Sequence, residues 1–230
     1  IRWTPETIDW ADYYVGIHMP AIEKWILPEM EKRMRREPKP LRAHPTLVSL
    51  VDEMADRHGH AVALSYLEEG DLFSRITFED VRQRRDAVAA RLASAGVGHG
   101  DRVVLAAKNH PDWAIAYFGI LRAGAAAVPM DPDLEPAAFA NVVHESGARV
   151  AILDVHARER VGELEGVTAI DVHEICREGD AAPPELALEE TDLASVSFTS
   201  GTPGRPKGVK LSHKNFATMI APLETIFPLN

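Results

Sequence analysis

Apolar positions from Leu47 onward recur with two alternating periods. Leu47, Leu50, Val51 and Met54 share one side of a helix that the spacing ends near Gly59. Ala61 to Leu67 and Ser74 to Thr77 read as two strands of a hairpin, with Glu68-Glu69-Gly70-Asp71 as its turn. Thr77, with Asp80 three residues on, has the form of a helix N-cap. Val81, Val88, Ala89 and Leu92 then face one way until Gly96 stops the helix. Arg82, Arg84, Arg85 and Arg91 are expected on its solvent face.

Strict alternation of element types follows. Arg102 to Ala107 is an apolar strand, and Pro111, suited to a first helical turn, opens a helix through Leu121 that Gly124 closes. Ala125–Pro129, Arg149–Leu153 and Val167–Val172 read as strands, and Pro136–Ser146 and Arg158–Leu164 as the helices between them. Strands apolar throughout, separated by helices, belong to a sheet covered on both faces. The expected fold class is therefore α/β, with a layered, largely parallel sheet and helices on both faces. Neither an internal repeat nor a low-complexity tract interrupts it.

Residues 1–36 differ. Ile22, Ile26, Met30 and Met34 recur every four residues among charged positions, while Pro20 and Pro28 break the helix into pieces. This predicts a helical N-terminal extension over 1–44, packed on its own domain or a partner, with peripheral membrane contact through 1–36 as the alternative. Residues 45–195 then form an α/β subdomain, and 196–230 a loop hairpin and the start of a next subdomain.

Composition narrows the class. The 230 residues are 46% apolar and 26% charged, which is globular. A single cysteine, Cys176, excludes an internal disulfide and favours a reducing, cytoplasmic setting; nothing near it marks it as a nucleophile. No apolar run approaches the ~20 residues of a membrane span. The net charge of −10 is uneven: residues 151–195 carry −9, and residues 196–230 carry +3. With no long basic face, nucleic acid is not an expected partner. Leu105-Ala106-Ala107-Lys108-Asn109-His110 lacks the glycines of a dinucleotide fingerprint.

The +3 stretch holds the segment with chemistry: Val196-Ser197-Phe198-Thr199-Ser200-Gly201-Thr202-Pro203-Gly204-Arg205-Pro206-Lys207-Gly208-Val209-Lys210-Leu211-Ser212-His213. Both flanks alternate as strands and join through a loop rich in hydroxyls and glycine. Glycines let backbone N–H groups turn to a ligand, hydroxyls donate further bonds, and lysine adds a mobile cation. Such a loop suits nucleotide phosphates. It is no Walker A loop, because a strand pattern rather than a helix follows Lys207. The bland alternative is a Gly/Pro-rich hairpin loop whose hydroxyls cap its own backbone.

The order of residues resembles the phosphate-binding signature of the AMP-forming acyl-CoA synthetases, the adenylate-forming superfamily. The family string runs aromatic-Thr-Ser-Gly-Thr-Thr-Gly-x-Pro-Lys-Gly-Val, and only Pro203 departs, where Thr or Ser is usual. Gly100-Asp101-Arg102-Val103, Asn109-His110-Pro111-Asp112, Gly119 to Ala125 and Val128-Pro129-Met130-Asp131-Pro132 resemble the same family upstream.

The resemblance, which covers about residues 45–220, implies a fatty-acid–CoA ligase-like enzyme. A carboxylate attacks the α-phosphate of ATP, with Mg2+, to give acyl-adenylate and pyrophosphate; coenzyme A then displaces AMP. It implies that Thr199, Ser200, Gly201, Thr202, Gly204 and Lys207 bind the β- and γ-phosphates, with Lys207 as the catalytic cation. Pro203, without a hydroxyl or an N–H, removes one phosphate contact and stiffens the loop. By the same resemblance the adenine, ribose, hinge and magnesium-holding segments lie beyond Asn230, so the chain is expected to be an N-terminal fragment, inactive alone. Alternatives are adenylation of an aryl or amino acid for another thiol acceptor, or a non-catalytic nucleotide-binding module. No metal-ligand set is recognised: His58-Gly59-His60 reads as a helix end. His213 is placed on the strand after the loop, in a supporting role.

Overall fold

A computed structural model describes residues 44–67, 73–179, 181–199 and 207–226. The predicted extension over 1–44 lies outside these residues but for its last position. Residues Ala43–Met219 form one compact unit. Among the described residues no helix is long and apolar enough to cross a membrane.

Local chemistry sets the helix boundaries. Helix α1 (Leu47–His58) and helix α2 (Phe78–Ser94) each start on a capping box, Thr46 with Ser49 and Thr77 with Asp80. The bonds from the Thr77 hydroxyl and N–H hold the Asp80 carboxyl below the usual carboxylate range. Between the two helices, β1 (Val62–Leu67) and β2 (Phe73–Thr77) form the predicted hairpin as a separate two-stranded sheet. Its turn at 68–71 is outside the described residues.

The remaining elements are β3 (Arg102–Ala106), α3 (Pro111–Arg122), β4 (Ala126–Pro129), α4 (Pro136–Ser146), β5 (Val150–Leu153), α5 (Val155–Val161), β6 (Thr168–Asp171), α6 (Val172–Ile175), β7 (Leu193–Thr199), β8 (Lys207–Ser212) and α7 (His213–Ile226). Six strands form one sheet in the order β6-β5-β3-β4-β7-β8; the pairs through β7 are parallel, and β8 closes the edge antiparallel. The sheet therefore continues across residue 195.

Strand alternation assigns the two faces. Val103 and Leu105 pack with Val88, Leu92, Ile115, Ile120 and Ile175 from α2, α3 and α6. Val104 and Ala106 pack with Phe139, Val142, Val143 and Ala157 from α4 and α5. The α/β architecture with helices on both faces is as the alternation predicts.

Several local expectations change. Arg85 is 1% exposed rather than on a wet face. Its guanidinium is matched by Asp52 and Asp86 at 2.7 Å and by the Val48 carbonyl at 3.3 Å, which makes burial tolerable. Arg84 and Arg91 are also engaged: Arg84 Nε donates to the Cys176 carbonyl at 2.8 Å, and Arg91 donates to the carbonyls of Ile175 and Arg177. Arg82 spans Asp56 and Glu79 at 2.5 Å. These side chains hold carbonyls and carboxylates of neighbouring segments instead of facing water alone.

The helix expected at 158–164 starts at Val155, because Asp154 caps it by accepting Ala157 N–H at 2.7 Å. The four-residue α6 is additional. His213 begins α7 rather than continuing the strand, because Asn215 Oδ1 accepts Ser212 N–H at 2.9 Å and turns the chain.

Candidate functional site

The β7–β8 hairpin is built by alternation and one missing side chain. Val196 and Phe198 turn toward the α4 side of the sheet. Across the ladder Phe198 faces Gly208, and Thr199 faces Lys207. A Cβ at 208 would lie 2.9 Å from Val196 Cγ1 and 3.1 Å from Phe198 Cζ, so the aromatic ring occupies room that only glycine leaves. In the sequence Gly208 is one of three glycines of the loop segment, with Gly201 and Gly204. Its place opposite an aromatic on the paired strand is the signal that identifies it as a packing position.

The open end of the hairpin lies at the carboxyl ends of the parallel strands, the edge where open α/β sheets present ligand sites. Thr199 closes β7 and Lys207 opens β8, in direct register. Lys207 is exposed and makes no ion pair among the described residues, so its charge is available to an anion. Ser200, Gly201, Thr202 and Gly204 fall in 200–206, outside the described residues, as does Pro203. The pair Thr199–Lys207 thus fixes the two ends from which those residues span.

The other end of the hairpin is clamped. His213 N–H donates to the Asp192 carbonyl at 3.0 Å, and Lys214 N–H to the Glu190 carbonyl at 2.8 Å. Lys214 Nζ also meets Glu190 at 2.6 Å. The His213 ring is 1% exposed, and its Nδ1 accepts Leu47 N–H at 3.2 Å, which ties the base to the start of α1. Burial pushes the His213 pKa below the usual imidazole value, against an opposing pull from Asp192. The expected supporting role fits this position. On β7 itself, Ser195 Oγ donates to the Ala127 carbonyl at 3.2 Å, stitching the strand to β4.

At the crossover between β3 and β5, Asp154 Oδ2 accepts Lys108 N–H at 2.7 Å while its other oxygen caps α5, so this carboxylate ties the segment leaving β3 to the one leaving β5. A depression of about 300 Å³ lies at the opposite, amino edge, beside Gly96, Arg102, Gly147, Arg149 and Thr168, and holds none of the candidate residues. Cys176 is fully buried, and its thiol is pushed up by desolvation first and by the Asp112 charge second, which removes it as a nucleophile.

Comparison with known proteins agrees with this arrangement. The family profile described as AMP-binding enzyme matches residues 51–229. Tyrocidine synthase 2 of Brevibacillus parabrevis is 32% identical over 181 residues, covering 78% of this chain and 5% of that protein. 4-Coumarate–CoA ligase 5 of Oryza sativa subsp. japonica is 32% identical over 183 residues, covering 75% of this chain and 33% of that protein. Among solved structures, a fatty acyl-adenylate ligase from L. pneumophila in complex with acyl adenylate and pyrophosphate superposes with a TM-score of 0.71 at 25% identity. That match covers 81% of this chain and 34% of the other. The chain therefore spans about a third or less of the length of these relatives. With its parallel sheet, its strand-flanked Thr-Ser-Gly-Thr loop and a profile match across most of its length, the chain belongs to the AMP-binding enzyme family of adenylate-forming ligases.

Proposed function

We propose that this chain supplies the triphosphate-binding hairpin of an ATP-dependent ligase that activates a carboxylic acid as acyl-AMP and passes the acyl group to coenzyme A. One observation carries the reading: Thr199 and Lys207 stand in register at the open end of β7–β8, flanking the Ser200-Gly201-Thr202 stretch. In this reading Thr199, Ser200, Gly201, Thr202 and Gly204 contact the β- and γ-phosphates of Mg-ATP. The substrate carboxylate forms a bond to the α-phosphorus, the bond to the bridging oxygen breaks, and pyrophosphate leaves. Lys207 stabilises the charge that gathers on that leaving group. The thiol then attacks the acyl carbon, AMP departs, and the thiol proton passes to solvent.

A fatty acid is the substrate we favour. Its supports are the aromatic, interrupted helix pattern of residues 1–36 and the likeness to a fatty acyl-adenylate ligase. An aryl or amino acid with another thiol acceptor is the second reading, supported by the likeness to 4-coumarate–CoA ligase 5 and tyrocidine synthase 2.

The test is carboxylate-dependent ATP–pyrophosphate exchange by the full-length protein across fatty, aryl and amino acids, with AMP release measured on adding coenzyme A. Fatty acids are expected to stimulate exchange most. Lys207→Ala is expected to lower it by about tenfold or more, the loss of one charge-assisted hydrogen bond to phosphate. Exchange stimulated by none of the acids overturns the proposal and leaves the non-catalytic nucleotide-binding module.

A further inference from the structure

Outside the hairpin, the fold brings together three side chains that are distant in sequence. His110 is the N-cap of α3, Asp112 lies in its first turn, and His173 lies on α6 directly after β6. Asp112 Oδ2 is 2.7 Å from His173 Nδ1 and 3.4 Å from His110 Nδ1. One donor atom from each of the three lies within 4.8 Å of the others. The two imidazoles meet edge-on, with centroids 4.8 Å apart and planes at 89°.

We propose that His110, Asp112 and His173 form a binding site for a zinc-class divalent cation. Two imidazoles and one carboxylate suit Zn2+, Co2+ or Ni2+ better than the all-oxygen preferences of Mg2+ or Ca2+. A tetrahedral Zn2+ with bonds of about 2.0–2.1 Å holds its ligands roughly 3.3 Å apart. The His110–Asp112 separation of 3.4 Å matches this, and the 2.7 Å His173–Asp112 hydrogen bond must lengthen as an ion replaces its proton. The widest gap closes by rotation of the His173 ring, whose side chain is 51% exposed.

The surroundings prepare the site. Arg84 binds Asp112 Oδ1, so Oδ2 is the oxygen turned to both imidazoles. Arg84 is itself fixed by its bond to the Cys176 carbonyl. His110 Nδ1 accepts Asp112 N–H at 3.1 Å, a bond that an ion at Nδ1 replaces. Cys176 Sγ donates to the Asp112 carbonyl at 3.3 Å and stays out of the ligand set. Asp112 is 4% exposed while His173 faces solvent, so an ion enters from the His173 side and keeps a fourth position for water. Bound there, it links the segment leaving β3 to the segment leaving β6.

The experiment titrates the purified 230-residue chain with Zn2+ by calorimetry and with Co2+ by visible absorption, for wild type, H173Q, H110Q and H156Q. His156 pairs with Asp133 elsewhere on the surface and serves as a control for nonspecific histidine binding. The expected result is one equivalent of Co2+ with tetrahedral d–d absorption and no thiolate charge-transfer band. H173Q and H110Q should each weaken Zn2+ binding by about tenfold or more, and H156Q should leave it unchanged. Absence of binding to the wild type overturns the proposal, and so does equal affinity in wild type and H173Q. Neither result bears on adenylation, which is read by exchange.

Discussion

Phe198 and Gly208 face each other across β7 and β8, and the Phe198 ring covers the place a side chain at 208 would fill. Gly208→Ala sets a methyl 2.9 Å from Val196 Cγ1 and 3.3 Å from Phe198 Cε1. Either the ring moves or the strands separate, and both disturb the register that pairs Thr199 with Lys207. We expect a loss of about 1–3 kcal/mol in urea denaturation and a raised ATP KM in the full-length protein. Unchanged stability would show that the ring has room to move.

A second glycine sets the approach of two helices. At Gly119 on α3, a Cβ would come within 2.5 Å of Val88 Cβ and 3.2 Å of the Arg85 carbonyl on α2. Val88 is fully buried, so it cannot swing into solvent. Gly119→Ala is expected to cost about 1–3 kcal/mol, read as a fall in Tm of about 2–4 °C per kcal/mol for a chain of this size. Gly98→Ala, whose Cβ meets only Asp101 Oδ2 at 4.0 Å, is the matched control and should leave Tm nearly unchanged.

Arg85 contributes through volume as well as charge. Arg85→Ala opens a cavity between α1 and α2 and frees the Val48 carbonyl, and it should destabilise by about 2–5 kcal/mol. Arg85→Met refills most of that space, while Asp52 and Asp86 remain partly solvated at 43% and 27% side-chain exposure. It should therefore be milder, since a buried ion is often replaceable by an apolar side chain. Equal losses in the two variants would assign the effect to the ion pairs instead.

The layered sheet was legible because its strands are apolar on both sides, a pattern set by local sequence and read by periodicity. Arg85 was not, because its partners Asp52 and Asp86 become neighbours only when α1 docks on α2. The start of α5 was misplaced by three residues because Asp154 serves two N–H groups at once, and Lys108 comes from another strand's turn. His110 and His173 are far apart along the chain, and only the parallel order of β3, β5 and β6 places their turns at one edge. In the candidate site, alternation on both flanks marks two strands around the loop, while the register of Thr199 with Lys207 is set only by their pairing. The role of Gly208 as a packing position needs the cross-strand pairing that alternation leaves unspecified.

His213 gives the hairpin base a pH dependence. Its folded pKa lies below the usual imidazole value, because burial disfavours the charged ring, and the unfolded chain takes up the proton first as pH falls. Stability is therefore full above about pH 6.5, the ordinary histidine value, and declines as pH drops through the folded pKa. Protonation of Nδ1 also breaks its bond from Leu47 N–H. His213→Asn keeps an acceptor and removes the titration, so its unfolding free energy between pH 7.5 and 5.5 should be flatter than that of the wild type. Identical slopes would assign the dependence to other histidines. Asp80 and Asp192, whose pKa values are lowered, act only in the more acidic carboxylate range.

Pro203 is where the loop departs from the family string, and its effect is separable from folding. Proline offers neither an N–H nor a hydroxyl to a phosphate, whereas threonine offers both. A hydrogen bond to a charged phosphate contributes about 1.5–3 kcal/mol, so one regained contact corresponds to a tenfold or larger gain in affinity. Stiffening by proline works the other way, since a preorganised loop loses less entropy on binding. We expect the contact to outweigh the stiffness, so that Pro203→Thr lowers the ATP KM of the full-length enzyme. On the proposed function, the KM for the carboxylic acid should hold steady. An unchanged ATP KM would mean that residue 203 faces away from the phosphates, and a raised one that preorganisation dominates the loop.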